Sequence, residues 1–185
     1  MEDRKIIDLY WQRDELAIQE TDHKYGRYCY AIANNILSNR EDSEESVSET
    51  YWRAWDSMPP HRPDILSAFL GKITRRISLN IWKSRSRIKR GGGEIALALE
   101  ELADCAATDF NVEQSIEQKE LSLAIDGFLA ALPRTERDVF VSRYWFLASV
   151  QEISTKFNFS QSKTKSMLFR TRNKLKKHLQ EESLI

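Results

Sequence analysis

Apolar residues along this chain return every three or four positions rather than every second one. In YGRYCYAIANNIL, Tyr25 to Leu37, they fall at 28, 29, 32, 33, 36 and 37, one face of a helix. A first helix is predicted ahead of it, over Glu15 to Tyr25 or a little beyond. Asn39 can cap the next helix, whose acidic start (Glu41, Asp42, Glu44, Glu45) suits the helix dipole and which continues to Trp55. MPPHRP, Met58 to Pro63, must end it, because its three prolines lack the amide hydrogens a helix needs. Asp64 can cap a fourth helix, running from Ile65 toward Arg90.

GGG at 91 to 93 ends that helix and makes a flexible joint. Glu94 to Asn111 is acidic, Ala-rich and weakly patterned, and reads as a linker with room for one short helix. Helical periodicity resumes from Val112 to Leu132 (Ile116, Leu121, Ala124, Ile125, Phe128, Leu129) and stops at Pro133. Thr135 opens TERD, a cap with an acid three residues on, for a helix reaching Trp145. SVQE, Ser149 to Glu152, is a full capping box for a short helix to Phe157. Asn158 to Ser160 form the turn, and Ser160 caps the last helix. With only four Pro, six Gly and no sustained alternation, the fold class is all-α. The expected architecture is two small helical domains, 1–90 and 115–185, joined by a flexible acidic linker, 91–114.

A short helix, a three-residue turn and a longer basic helix have the form of a helix-turn-helix. At about 100° per residue, Thr164, Leu168, Thr171, Leu175 and Leu179 share one narrow stripe and should pack inward. Ser162, Ser166, Phe169, Arg170, Asn173 and Lys177 point away, flanked by Lys163, Lys165, Arg172 and Lys176. Small polar residues at the N-terminal end with cations along both sides are what a helix in a DNA major groove requires. An ordinary solvated basic face is the plainer alternative, but it leaves the capping box, the short preceding helix and the lack of acids unexplained.

Charge separates along the chain although 28 basic residues balance 28 acidic ones. Ile65 to Gly93 holds eight cations and no acid, and so does Lys156 to Gln180. Acids gather instead in Asn39 to Glu49 and in Glu94 to Glu120. Two basic blocks suggest two contacts with a polyanion, and the acidic ones suggest a different partner. In AFLGKITRRISLNIWKSRSRIKR, Phe69, Leu70, Ile73, Ile77, Ile81 and Trp82 make a core face while cations take the rest. Aromatics beside cations can also stack unpaired bases, although core is the simpler reading of Phe69 and Trp82.

Other chemistries find little support. No apolar run reaches membrane-spanning length, and the charged N-terminus lacks a secretory core, so a cytoplasmic protein without membrane insertion is expected. Cys29 and Cys105 are far apart and His23, His61 and His178 are isolated, which predicts reduced thiols and no metal site. GGG lacks the following Lys and the strand context of a phosphate loop, and no nucleophile–base pair presents itself. No cofactor and no enzymatic activity are expected.

The chain resembles bacterial extracytoplasmic-function (ECF) sigma factors, the promoter-recognition subunits of RNA polymerase. REDSEESVSETYWRAW is similar to the family's R-E-D-A-E-D-x-V-Q-E-T-F-x-R-A-W. FLGKITRRISLN is similar to W-L-x-R-I-A-R-N-x-x-I-D, and LPRTERDVFVSRYW to L-P-x-x-x-R-x-V-F-x-L-R-Y. SVQEISTKFNFSQSKTKSMLFRTRNKL is similar to S-Y-x-E-I-A-x-x-L-G-I-S-x-G-T-V-K-S-R-L-x-R-A-R-x-x-L. Departures fall at Phe69 for Trp, Arg76 for Asn, Asn80 for Asp, Asn158 for the turn Gly, Lys163-Thr164 for Thr-Val and Met167 for Arg.

The resemblance implies that Asp42, Glu45, Glu49, Trp52 and Arg53 bind the clamp of the polymerase core. It implies that Arg62, Pro63, Asp64 and Ile65 pocket an unstacked base of the −10 element while Lys72, Arg75, Arg76 and Lys83 hold strand phosphates. Ser162, Lys163, Lys165, Ser166, Phe169, Arg170 and Lys174 would read the −35 element, with the second domain near the polymerase flap. The acidic linker would pass through polymerase channels, Glu100, Glu101 and Asp104 mimicking nucleic acid. An anti-sigma factor is a further partner the family admits. The runner-up is a helix-turn-helix regulator that binds duplex DNA without polymerase; a polymerase-binding decoy is a third reading. The regulator reading leaves the Asn39–Trp55 helix and the Ile65–Arg90 block idle, and charge reversal at Lys163, Arg170 and Lys174 would separate a sigma factor from a decoy.

Overall fold

The computed structural model describes residues 1–86, 93–103, 116–182 and 184. Its described elements are all helices: α1 (Asp3–Trp11), α2 (Leu16–Leu37), α3 (Arg40–Ser57), α4 (Leu66–Ser86), α5 (Gly93–Ala103), α6 (Ile116–Ala131), α7 (Arg134–Tyr144), α8 (Val150–Phe157) and α9 (Gln161–Glu181). The chain divides into two compact units, Met1–Gly91 and Gly92–Ile185. Gly91, Gly92, Asp104, Cys105, Val112 and the cations Arg87, Lys89 and Arg90 lie outside the described residues.

In the first unit, α2, α3 and α4 pack on one another around Cys29, Val47, Tyr51, Ala54, Leu66 and Leu70. Helix α1 was not expected. It buries Ile6, Ile7 and Tyr10 against that core, an apolar triplet at helical spacing hidden among charges. The two helices expected on either side of Tyr25 are one continuous helix. Gly26 does not break it, since one interior glycine costs a helix only about 1 kcal/mol, and beside it the Tyr51 hydroxyl donates to Asp22 Oδ1 at 2.9 Å. A Cβ at Gly26 would meet that same oxygen at 2.7 Å, so glycine is what the crossing admits.

Helices α3 and α4 meet through hydroxyls. Ser46 and Ser78 lie 2.8 Å apart, and Thr50 donates to Thr74 at 3.0 Å, all four fully buried. Small side chains let the backbones approach, and each hydroxyl satisfies its neighbour where no water reaches. Asn39 caps α3 as expected, its side chain accepting from the Asp42 amide at 3.0 Å. The prolines end α3 at Ser57, and α4 begins at Leu66.

The second unit closes over Val139, Phe140, Ile153, Leu168, Leu175 and Leu179. Helix α7 starts two residues earlier than TERD suggested. Pro133 occupies its N-cap position without a side-chain cap, so Thr135 lies inside the first turn. Proline's fixed φ suits the helix entrance, and its missing amide hydrogen loses nothing there. Ser149 and Glu152 form the reciprocal capping box at α8, and Ser160 caps α9 by accepting from the Lys163 amide at 3.1 Å. Asn158 takes the left-handed conformation (φ 53°, ψ 47°) that closes the turn between them. Within the segment read as a linker, α5 is an eleven-residue helix packed on α7.

Candidate functional site

Helix α9 has two distinct faces. Thr164, Leu168, Thr171, Leu175 and Leu179 are its buried residues, the stripe its periodicity indicated. The Thr164 hydroxyl lies 2.9 Å from that of Ser154, which pins α8 to α9 in the interior. Ser162, Lys163, Lys165, Ser166 and Arg170 are exposed on the other side, and Phe169 is 57% exposed among them. The Arg172 guanidinium of the same helix lies over the Phe169 ring, 5.9 Å from its centroid.

The turn adds order at the N-terminal end of that face. Lys163 Nζ sits 3.6 Å from the centroid of the Phe159 ring, and Phe159 stacks on Phe157 at 6.1 Å. Lys156 lies over the other aromatic, 5.4 Å from the Phe157 ring centre. Cation–π attraction thus holds two ammonium groups beside the start of α9. Lys174 differs from the rest, since it pairs with Glu136 of α7 at 2.9 Å.

In the first unit, Lys72, Arg76 and Lys83 project from α4 into solvent. Arg75 is half-buried, and burial pushes its guanidinium pKa down to about 10. The loop before α4 exposes Asp64 and Ile65, the latter at 61%. Arg62 is exposed too, but α1 holds it: its guanidinium pairs with Asp8 and lies over the Trp11 ring, 5.6 Å from the centroid. Trp11 Nε1 donates to the His61 carbonyl at 3.3 Å, and Arg13 Nη1 to the Trp55 carbonyl at 2.8 Å. Helix α1 therefore braces the loop at His61 and Arg62, and Arg13 in the turn after α1 holds the last turn of α3. Phe69 packs partly buried against the core and stacks on His61 at 5.8 Å. Asp8, Trp11 and Arg13 escaped the sequence reading, because nothing local links positions 8–13 to 55–62.

Along α3, Glu41, Glu45, Ser48, Trp52 and Asp56 form an exposed stripe at helical spacing. Trp52 is 63% exposed. Glu49 and Arg53 pair along the helix at 2.8 Å. Asp42 does not belong to this surface. It is 7% exposed, and its carboxylate accepts from both terminal nitrogens of Arg85 on α4. The geometry gives it a structural partner in place of open solvent.

The second unit has an ionic cluster around a buried arginine, of which local spacing along the chain carried no sign. Arg143 of α7 is fully buried, with Nη1 2.7 Å from Glu94 Oε2 and 3.1 Å from the Ala148 carbonyl. Its Nε lies 3.5 Å from Glu101. The same Glu101 carboxylate accepts from the Tyr144 hydroxyl at 2.9 Å and lies 3.3 Å from Arg172 of α9. Burial pushes the Tyr144 hydroxyl pKa up, so it remains a donor. Among the described residues no group of His, Cys, Asp or Glu could hold a metal, and no helix is long and apolar enough to cross a membrane.

Comparisons with known proteins agree with this division. Residues 23–88 match the family described as Sigma-70 region 2, and residues 122–175 the one described as Sigma-70, region 4. The ECF RNA polymerase sigma factor SigE of Mycolicibacterium smegmatis is 25% identical over 170 residues, covering 92% of this chain and 62% of that protein. The chain thus spans less than two thirds of that relative's length. Helices α2–α4 lie largely within the first match, and α7, α8 and most of α9 within the second. With both regions present in order over well over half of its length, the chain belongs to the sigma-70 family as a member of the extracytoplasmic-function type.

Proposed function

We propose that this protein binds bacterial core RNA polymerase and directs it to specific promoters. The observation that carries the reading is the two-faced α9, a capped helix with a wholly buried inner stripe and an outer face of small polar and cationic residues around Phe169. In the −35 major groove, Ser162, Ser166 and Arg170 are within reach of base edges, Phe169 suits a thymine methyl, and Lys163 and Lys165 suit phosphates. Lys174 takes a phosphate once it leaves Glu136.

The first unit serves the −10 element. Arg62, Pro63, Asp64 and Ile65 form the edge that receives an unstacked base, while Lys72, Arg76 and Lys83 neutralise strand phosphates beside Arg75. Unstacking costs a few kcal/mol, which stacking and charge contacts must offset. Glu45, Glu49, Trp52 and Arg53 dock the polymerase clamp, with Trp52 as the anchor an interface centre favours. Asp42 supports that surface from beneath. The second unit sits by the flap, and an anti-sigma factor covers one of these faces when transcription is off. The two functional domains are 1–90 and 115–185, and α5 of the intervening segment 91–114 packs onto the second of them. The working compartment is the cytoplasm, where core polymerase and promoter DNA are found.

Run-off transcription tests the reading. Purified protein, bacterial core polymerase and fragmented source DNA should give discrete RNA 5′ ends that require the protein and share an upstream motif. Duplex binding by the protein alone, with no dependent starts, would overturn it in favour of a polymerase-independent regulator.

A further inference from the structure

We propose that α5 is part of the DNA-reading unit and that Glu101 is a positioning residue for the recognition helix α9; this rests on the −35 reading given above. Glu94 and Glu101 lie outside both matched segments, in the acidic stretch between them. Yet they supply the carboxylates that face Arg143 inside the second unit. A fully buried guanidinium is tolerated only when its charge is paired, because taking it out of water is costly. Among the described residues its Nη2 and Nε have no hydrogen-bond partner, so the carboxylates of α5 carry the compensation. Ala98 on the same helix is 1% exposed, which seats α5 by packing as well as by charge.

Glu101 does more than neutralise Arg143. Its Oε2 joins three side chains from two helices: Arg143 and Tyr144 of α7, and Arg172 of α9. Arg172 Nη1 also donates to the Tyr144 hydroxyl at 2.7 Å, which closes a ring of contacts. Arg172 lies one residue after the buried Thr171 and two after the outward Arg170. Fixing it therefore adds to the buried stripe in setting the rotation of α9 about its own axis, and with it the direction of Ser166, Phe169 and Arg170. Base readout depends on that direction, whereas phosphate attraction tolerates error in it.

Glu101→Gln keeps the size and removes the charge that holds both arginines. Tyr144→Phe removes only the bridging hydroxyl and is the milder variant. Each is assembled into holoenzyme and assayed on a promoter mapped by run-off transcription, alongside single-base variants of its −35 element. The expected result is a several-fold loss of discrimination between the promoter and its variants, with core affinity and cooperative melting of the protein retained. Unchanged discrimination in both folded variants would overturn the positioning role. Equal loss on all promoters with lowered melting temperature would also overturn it, by assigning the cluster to stability alone. Absence of any starts with the unaltered protein is a separate outcome, which defeats the sigma reading itself.

Discussion

Asp42, in the first turn of α3, accepts two hydrogen bonds from the Arg85 guanidinium near the end of α4, one of them 2.6 Å long. The pair spans 43 residues and ties the start of the acidic helix to the end of the basic one. The Asp42 side chain is 9% exposed while Arg85 is 57% exposed. Solvent screens the arginine end, so Asp42→Ala should cost about 1–2 kcal/mol, short of the value for a fully buried pair. Urea denaturation checks it. Arg85→Ala should cost no less, since it leaves the sunken carboxylate unpaired.

Trp52 touches the core too little to matter for folding. Trp52→Ala should leave stability within about 0.5 kcal/mol, as surface substitutions do. Its loss should weaken core polymerase binding by about tenfold or more if it anchors that interface. Competition for core against a labelled sigma subunit measures the second effect, and thermal melting the first.

Lys165 and Arg170 should fail in different ways. For a phosphate contact, Lys165→Ala flattens the log K against log salt slope of promoter binding by about one unit and weakens all sequences alike. For a base contact, Arg170→Ala relaxes preference at one position by about 1–3 kcal/mol. A salt series on the mapped promoter and its variants separates the two.

Asp8 and Trp11 hold Arg62 and the loop that carries Ile65. Asp8→Asn should leave core binding and −35 recognition intact but slow opening of the −10 element. Permanganate reactivity of −10 thymines reports this directly. An unchanged opening rate would mean that Arg62 needs no brace from α1.

The sequence by itself determined most of the helices, the caps at Asn39, Ser149 and Ser160, and the two faces of α9. The inward stripe of α9, the Ser149–Glu152 capping box, the Asn39 cap and the stop at Met58–Pro63 all follow from short-range rules, because spacing and capping act within a few residues. It also separated the acidic block from the basic ones, and so pointed to two kinds of partner. The close approach of Asp22 and Tyr51 beside Gly26 depended on the crossing of α2 and α3, and the placement of α1 on burying Ile6, Ile7 and Tyr10 against distant helices.

Only the tertiary structure decided which charges face solvent. Asp42 and Glu101 look alike in sequence to Glu45 and Glu100, yet the first two are held by arginines far along the chain, while Glu45 and Glu100 are exposed. Arg143 reads as an ordinary helix cation until α5 covers it. A charge's role is set by its desolvation and its partner, and both come from residues that sequence spacing does not bring together.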